Sequence, residues 1–527
     1  MSTFPQPWRS TVSHWQATHR GPTSLWLHNA DKDTVPAEVD ILIVGGGMTG
    51  AAMSYFLTRP GAHGAGKKVV CVEAKDVASG ATGRNGGHVG PKTYVMWDEL
   101  MQPYPLGLGC DEEEACRITQ SERDNLDLVA EVVEKERLDV DFWRGDLLET
   151  HHSTERSAWS KEKYAAWLAV RKRLGMAHDD TRFVDDPAEA EKVGVYLAPD
   201  LTHPGLTSQG MHLGPRAPRW QCSLLCTALM RKAIESPASQ FQFYSWTPVS
   251  GVPIRTEDGR WKVTTSKGDI LARQVILCTN AHTGNFFAEA DPVHSHITPF
   301  RGQCCTITPP PTYSGSRILK NTYNTLDGRY LVTAASGQLI LGGGLAPLVR
   351  DGKIPIDDSV GQVDDSEKGI NPVLTDDLSK FMPAHFIDWG PEAYGEGLTR
   401  TWTGIMGDSR DSLPLVGELP GKEGLSVVAG FSGHGMSRIF VSARAYAHTL
   451  RTGAWDTSLL PSSYKVTAER LARAQTAQKE FEAEHGKGVV VIEGQVLGGM
   501  EMKDRHGGQW NSVPASSRAV SADSVLK

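Results

Sequence analysis

Residues 39–50, V-D-I-L-I-V-G-G-G-M-T-G, decide the reading of this chain. An apolar run closes on Gly45, Gly47 and Gly50, the spacing G-x-G-x-x-G, and a helix-forming segment follows. Gly45 permits a tight turn, Gly47 lets a pyrophosphate approach the backbone, and Gly50 lets the helix pack closely on the strand. The helix start then offers free N–H groups and the positive end of its dipole to the phosphates. A second apolar run, K-K-V-V-C-V, ends in Glu73, placed to bind a ribose hydroxyl. Strand, glycines, helix, strand and acid together specify a dinucleotide site.

The chain has 527 residues, enough for two or three domains, and a net charge of -8 that argues against nucleic acid as a partner. No apolar run approaches the ~20 residues needed to span a bilayer. The first thirty residues lack the apolar core of a signal peptide, so a cytoplasmic protein with no membrane contact is expected. Eight cysteines in a chain this long do not make a disulfide framework, and buried free thiols are the expectation. The pairs His294-x-His296 and His151–His152 lack further ligands at recognisable spacing, so no metal is expected.

Beyond the first β-α-β unit comes A-S-G-A-T-G-R-N-G-G-H-V-G, whose small residues suit backbone contact with a ligand rather than a core. Apolar spacing predicts helices over 111–137, 153–175, 220–235 and around 437–450. Strands are predicted at 139–144, 241–244, 274–278, 300–307, 330–333 and 338–341, with a hairpin over 252–265 turning at Asp258–Gly259 and a loop over 279–282. The other glycine run, L-I-L-G-G-G-L-A-P, is set aside as a second nucleotide fold because Pro347 interrupts the helix it would need. Residues 1–37 read as an arm on the body, and the tail from about residue 486 as disordered.

The combination of G-G-G-M-T-G, Glu73, S-G-A-T-G-R-N-G-G, R-T-W-T-G-I-M-G-D-S-R-D-S-L-P-L-V-G and G-F-S-G-H-G-M resembles the D-amino-acid oxidase superfamily of FAD-dependent oxidoreductases. Within it, the G-R-N-G-G loop is most similar to the γ-glutamylputrescine oxidoreductase-like branch. The resemblance covers roughly residues 39–455. It implies an α/β (α+β overall) protein: a Rossmann-type FAD-binding domain and an interleaved substrate domain on a mainly antiparallel sheet. The expected division is an arm at 1–37, FAD-binding segments at 38–100, 205–290 and 400–455, substrate segments at 101–204 and 291–399, and a C-terminal helix and tail at 456–527.

By position, the resemblance puts Gly45, Gly47 and Gly50 at the pyrophosphate and Glu73 at the ribose. It puts Ser79, Arg84, Asn85 and Gly86 beside pyrophosphate and flavin, the Val249 backbone at the adenine, and Asn280 in a loop closing over the cofactor. Gly433, His434, Gly435 and Met436 would meet the isoalloxazine, where a helix N-terminus can stabilise charge on the N1–C2=O edge. The implied reaction is oxidation of an amine or amino acid by hydride transfer to flavin N5, giving an imine, with no catalytic dyad required. Tailoring of a larger nitrogen-containing metabolite and a non-catalytic flavin-binding role are the alternatives. Gly404 stands where some relatives carry a flavin-linking cysteine and Arg84 where others carry a histidine, so non-covalent FAD is expected, with His88 as the neighbouring attachment candidate. Ile340 stands where oxidase-type relatives carry an oxygen-activating lysine, which leaves oxidase and dehydrogenase chemistry both open. Arg301 and Arg400 are candidate substrate anchors, Trp402 a candidate pocket wall and His434 a candidate near the flavin. Substrate identity and oligomeric state are left open.

Overall fold

In the computed structural model the described residues are 8–103, 107–151, 154–176, 180–197, 207–208, 210–213, 217–219, 222–325, 328–485, 490–492 and 495–497. Strand β1 (Glu38–Val44) runs into helix α1 (Met48–Leu57), which returns to β2 (Lys68–Val72). Strand Gln240–Tyr244, β2, β1, β3 (Gly268–Leu277) and strand Leu425–Ala429 are successive parallel neighbours. β1 reads as a continuous apolar run because both its faces are covered. Ile41 and Ile43, with Val69 and Cys71 of β2, pack under Ala51, Ala52 and Met53 of α1. Leu42, Val44, Val70 and Val72 face the opposite way and share a core with Val249, Trp261 and Val263. Those three lie on the antiparallel pair Val249–Arg255 and Trp261–Thr265, which continues from β3.

A second eight-stranded sheet begins with β4 (Ile297–Thr308) paired antiparallel to β5 (Gly397–Ser409). It is antiparallel throughout except where Thr322–Thr325 runs parallel to Leu147–His151. Leu374, Leu378, Phe381 and Met382 of helix Pro372–His385 cover one face with Leu331, Leu339 and Leu341. The parallel sheet with helices and the mainly antiparallel second sheet are the expected fold class.

Helices α2 (Glu112–Glu136) and α3 (Ile439–Thr452) complete the layer beside α1, while Leu471 of α4 (Ala468–His485) joins the core on the opposite face. α2 starts at Asp111, whose side chain accepts from the Glu114 N–H at 2.8 Å, and ends at Arg137 in the left-handed conformation. Its Ile118, Leu126 and Val129 share one core with Ala51 of α1 and Phe440 of α3. Among the described residues no helix is long and apolar enough to cross a membrane.

Several expectations change. α2 falls within the expected substrate segment 101–204 but packs into the core of the parallel sheet, and residues 400–409, expected in the FAD-binding segment, belong to β5 in the second sheet. Pairing partners distant in sequence set both boundaries. The strand expected over 139–144 begins only at Trp143, and residues 279–282 open a 3-10 turn, Asn280–Phe286, rather than an irregular loop. Pro347 does not break the segment after Gly344: it sits in the first turn of helix Leu345–Arg350, where a missing N–H costs nothing. What separates this glycine run from a nucleotide fold is its strand, Leu339–Gly342, which lies between antiparallel neighbours. In the tail, Val490–Ile492 and Gln495–Leu497 pair as an antiparallel ladder, and residues 498–527 lie outside the described set.

Candidate cofactor and active site

The residues expected at the cofactor gather at the carboxyl ends of four adjacent parallel strands, β1, β2, β3 and Leu425–Ala429. Gly45 follows β1 at a φ of +112°, and a Cβ there would lie 2.6 Å from the Cys278 carbonyl oxygen at the end of β3. A Cβ at Gly50 would fall far inside contact distance of the Gly45 carbonyl oxygen, so helix and turn touch through bare backbone. Gly47 is the extended N-cap of α1. The first-turn N–H groups have no intrahelical acceptor, and that of Met48 is taken by Thr82 Oγ1 at 2.8 Å.

At the end of β2 the Glu73 carboxylate accepts from the Gly46 N–H at 2.6 Å and the Lys75 N–H at 2.9 Å, with Ser79 Oγ at 3.4 Å. Burial raises its carboxyl above the usual range, and these N–H groups oppose the shift. The Thr247 N–H, two residues before Val249, donates to the Glu73 carbonyl at 2.8 Å. Asn280, at a φ of +42°, accepts from the Gly430 N–H at 3.0 Å and ties the end of β3 to the loop after Leu425–Ala429. A turn bare of side chains, a helix N-terminus and an acid one strand away fit the pyrophosphate and ribose of a dinucleotide.

The 79–88 loop behaves differently from expectation. Arg84 is buried and its guanidinium is fully engaged by protein: Nε donates to the Ser79 carbonyl at 2.7 Å, Nη1 to the Thr403 carbonyl at 2.9 Å and Nη2 to the Thr11 carbonyl at 2.8 Å. It clamps the N-terminal arm between the loop and β5 instead of offering its charge to the pyrophosphate. Asn85 is likewise occupied, donating to the Thr82 carbonyl and accepting from the Gly87 N–H and the Cys222 thiol. Gly86 lies against the ring of Tyr330, and Trp15 of the arm covers Gly87 and donates to the Asn85 carbonyl at 2.6 Å.

Asp365 anchors the arm. Its carboxylate accepts from Trp8 Nε1 at 3.0 Å and Ser10 Oγ at 2.9 Å, and Lys75 and Arg84 lie at 3.8 and 3.7 Å. Substituting Asp365→Ala leaves those groups without their acceptor, an expected cost of about 1–3 kcal/mol. Limited trypsinolysis is the check: cleavage after Arg9 or Arg20 should precede any other cut and run faster than in the parent protein.

Three substrate-end candidates are redirected. Trp402 has no accessible surface; its ring packs with Trp15, Val332 and Ile340, and Nε1 donates to the Arg84 carbonyl at 2.7 Å. It is a core residue and walls no pocket, and Ile340 is buried in the same cluster. Arg301 gives its terminal nitrogens to the carbonyls of Asp358 and Asp364, which ties it to the 358–364 segment. Arg400 is exposed, and among the described residues its guanidinium donates to the Val12 carbonyl at 3.4 Å.

At the other end of the site, Gly433 and Ser432 both adopt positive φ, and His434 opens the 3-10 turn Gly435–Ser437 that leads into α3. The first N–H groups of α3 do not face outward. Those of Phe440 and Val441 donate to Asn125 Oδ1 at 2.9 and 3.2 Å, and Asn125 Nδ2 donates to the Met436 carbonyl at 2.9 Å. These two N–H groups of α3 are thus spent on α2. His434 Nε2 lies 3.2 Å from Glu122, a fully buried acid of α2 that also accepts from Arg438 Nε at 2.9 Å and the Lys92 N–H at 2.8 Å. Burial works against a charged Glu122, but His434, Arg438 and these hydrogen bonds outweigh it and hold the carboxyl at about 2. Burial pushes His434 below its ordinary range, against the pull of Glu122, so its ring is neutral at pH 7. Sequence reasoning missed Glu122, Asn125 and Arg438. The signal was there for Glu122: it stands four residues from both Ile118 and Leu126, on the apolar stripe of α2.

A dinucleotide turn on a parallel sheet, joined to a second, mainly antiparallel sheet, defines a dinucleotide-binding protein. The chain belongs to the FAD dependent oxidoreductase (DAO) family, which matches residues 40–449. It is 24% identical over 417 residues to the probable oxidoreductase OrdL of Rhizobium meliloti, covering 78% of this chain and 82% of that protein. Against the gamma-glutamylputrescine oxidoreductase of Escherichia coli the identity is 23%, over 78% of this chain and 83% of the relative. The crystal structure of glycine oxidase from Geobacillus kaustophilus superposes with a TM-score of 0.59 at 19% identity, over 82% of this chain and 99% of that one. This protein is therefore an FAD-dependent enzyme of the oxidoreductase class.

Proposed function

We propose that the chain oxidises the C–N bond of a small amine or amino acid to an imine. The observation that carries this reading is the convergence of Gly45, Glu73, Asn280 and the 430–436 loop at the carboxyl ends of adjacent parallel strands. FAD, when bound, supplies the hydride acceptor. Gly45, Gly47 and Gly50 would hold its pyrophosphate, Glu73 its ribose, and the Val249 backbone its adenine. Ser79 and Gly86 would line its path, and Gly433, His434, Gly435 and Met436 its isoalloxazine. Gly404 carries no nucleophile, so FAD would be held without a covalent bond through that position. The enzyme's own task is to place the substrate C–H against the flavin and to handle the charge that develops there.

The test is an anaerobic absorbance titration of purified holoprotein with a panel of primary and secondary amines and amino acids. At least one should bleach the flavin band within seconds; if none does, amine oxidation is the wrong reaction class. Hydrogen peroxide release in air then assigns the electron acceptor. Acid precipitation should leave the flavin in the supernatant.

A further inference from the structure

Reduction of a flavin by hydride leaves negative charge on its N1–C2=O edge, and some group must answer it. In α3, the helix nearest that edge in this reading, the Phe440 and Val441 N–H groups are capped by Asn125. The titratable side chain of the preceding loop, residues 430–436, is His434. Its Nε2 faces Glu122, and among the described residues no group is bonded to Nδ1. An ionised carboxylate only accepts, so the neutral ring carries its hydrogen on Nε2 and leaves Nδ1 as an open lone pair. Side-chain exposure of His434 is 14%, against 0% for Glu122 and 2% for Arg438, so the ring is the part of the trio that reaches accessible space.

We propose that Glu122 is a positioning residue that holds His434 with its hydrogen on Nε2 and its Nδ1 ready to take one proton when the bound flavin takes two electrons. This rests on the reading that places the 433–436 loop against the isoalloxazine. The balance with an amine is as follows. The C–H bonding pair leaves as hydride to flavin N5, and one ammonium N–H bond breaks with its pair kept by nitrogen. That proton goes to His434 Nδ1, and the substrate departs as an iminium. The imidazolium would keep the Glu122 carboxylate as its counter-charge. Other groups facing His434 are Lys92 and His88 from the 84–92 segment and Arg438 from its own; Arg438 in turn faces Glu99 and Tyr464. The cations among them favour a neutral ring in the oxidised protein, so uptake is tied to the charge that arrives with reduction.

The experiment is an anaerobic dithionite titration of the full-length holoprotein with indicator dyes, from pH ~6 to ~9. It needs no amine, so it reads out even if the amine panel fails. In the parent protein the midpoint potential should fall with pH by one proton more per electron pair than in His434→Asn. In Glu122→Gln the steeper segment should end at lower pH, because the imidazolium has lost its counter-charge; Glu122→Asp should restore it. Amine-driven reduction at pH 7 should slow by about 10²-fold in His434→Asn. Equal slopes in parent and His434→Asn overturn the proposal. Should Glu122→Gln not retain flavin, the ¹⁵N resonances of His434 in the parent protein decide on Glu122: a hydrogen on Nε2 supports the role, and one on Nδ1 overturns it.

Discussion

Gly50→Ala is expected to destabilise the protein by about 3 kcal/mol or more and to strip it of FAD. Helix propensity alone points the other way, since Ala is favoured over Gly inside a helix by about 1 kcal/mol. Packing decides. The new methyl would be driven into the Gly45 carbonyl oxygen, and both partners are backbone, so no side chain can swing aside. The start of α1 must move off the turn. That distorts the bare-backbone contact between Gly45 and Gly50 on which the pyrophosphate is proposed to rest. Gly80→Ala is the control: it lies in the neighbouring loop at a φ of -79°, with nothing within 4 Å of an added Cβ. Flavin absorbance per chain after gel filtration, with the thermal midpoint, separates the two. Full flavin content and an unshifted midpoint in Gly50→Ala would show that the turn yields more easily than bare backbone contact implies.

This turn was legible because its causes are local. A buried parallel strand, three glycines at set spacing and an acid at the end of the next strand all fall within 35 residues of one another. The electrostatic parts of the site were not legible, because their partners are remote. Glu122 binds the Lys92 N–H, His434 and Arg438, which stand 30, 312 and 316 residues away. From sequence alone its place on the apolar stripe of α2 marks Glu122 as buried but names none of these partners. Arg84 shows the converse: its place in the G-R-N-G-G loop points to a phosphate, whereas Thr11 and Thr403, 73 and 319 residues distant, claim its guanidinium. Arg301 and Trp402 failed as substrate contacts for the same reason. Residue type suggests what a side chain can do, but Trp402 is committed to the Arg84 carbonyl and Arg301 to those of Asp358 and Asp364, all remote in sequence.

The D-S-R-D-S-L-P stretch makes the same point for stability, and Asp411→Asn is expected to cost about 3–5 kcal/mol. Asp411 is buried and meets Arg470 of α4 through both oxygens, at 2.6 Å to Nε and 2.8 Å to Nη2. Arg470 also donates to the carbonyls of Leu413, Pro414 and Tyr464, so the pair pins α4 to the segment after β5. Removing the carboxylate leaves a buried guanidinium with only neutral acceptors, which is where the cost arises. Asp411→Asn combined with Arg470→Met should cost less than the sum of the single changes, since neither charge is then stranded. The pH dependence follows from the sign of the shift. Burial disfavours the Asp411 anion, but the charge and hydrogen bonds of Arg470 outweigh it and hold its carboxyl far below the usual range. A depressed folded-state value contributes stability that is fully present above the unfolded value of about 3.9 and is lost as pH falls toward the folded one. The gap between parent and Asp411→Asn should therefore be constant from pH ~7 down to ~5 and narrow below ~4. Thermal unfolding at those three pH values is the measurement. A gap that closes already at pH ~5 would mean that the carboxylate titrates as an exposed group, and that the anchor of α4 lies elsewhere.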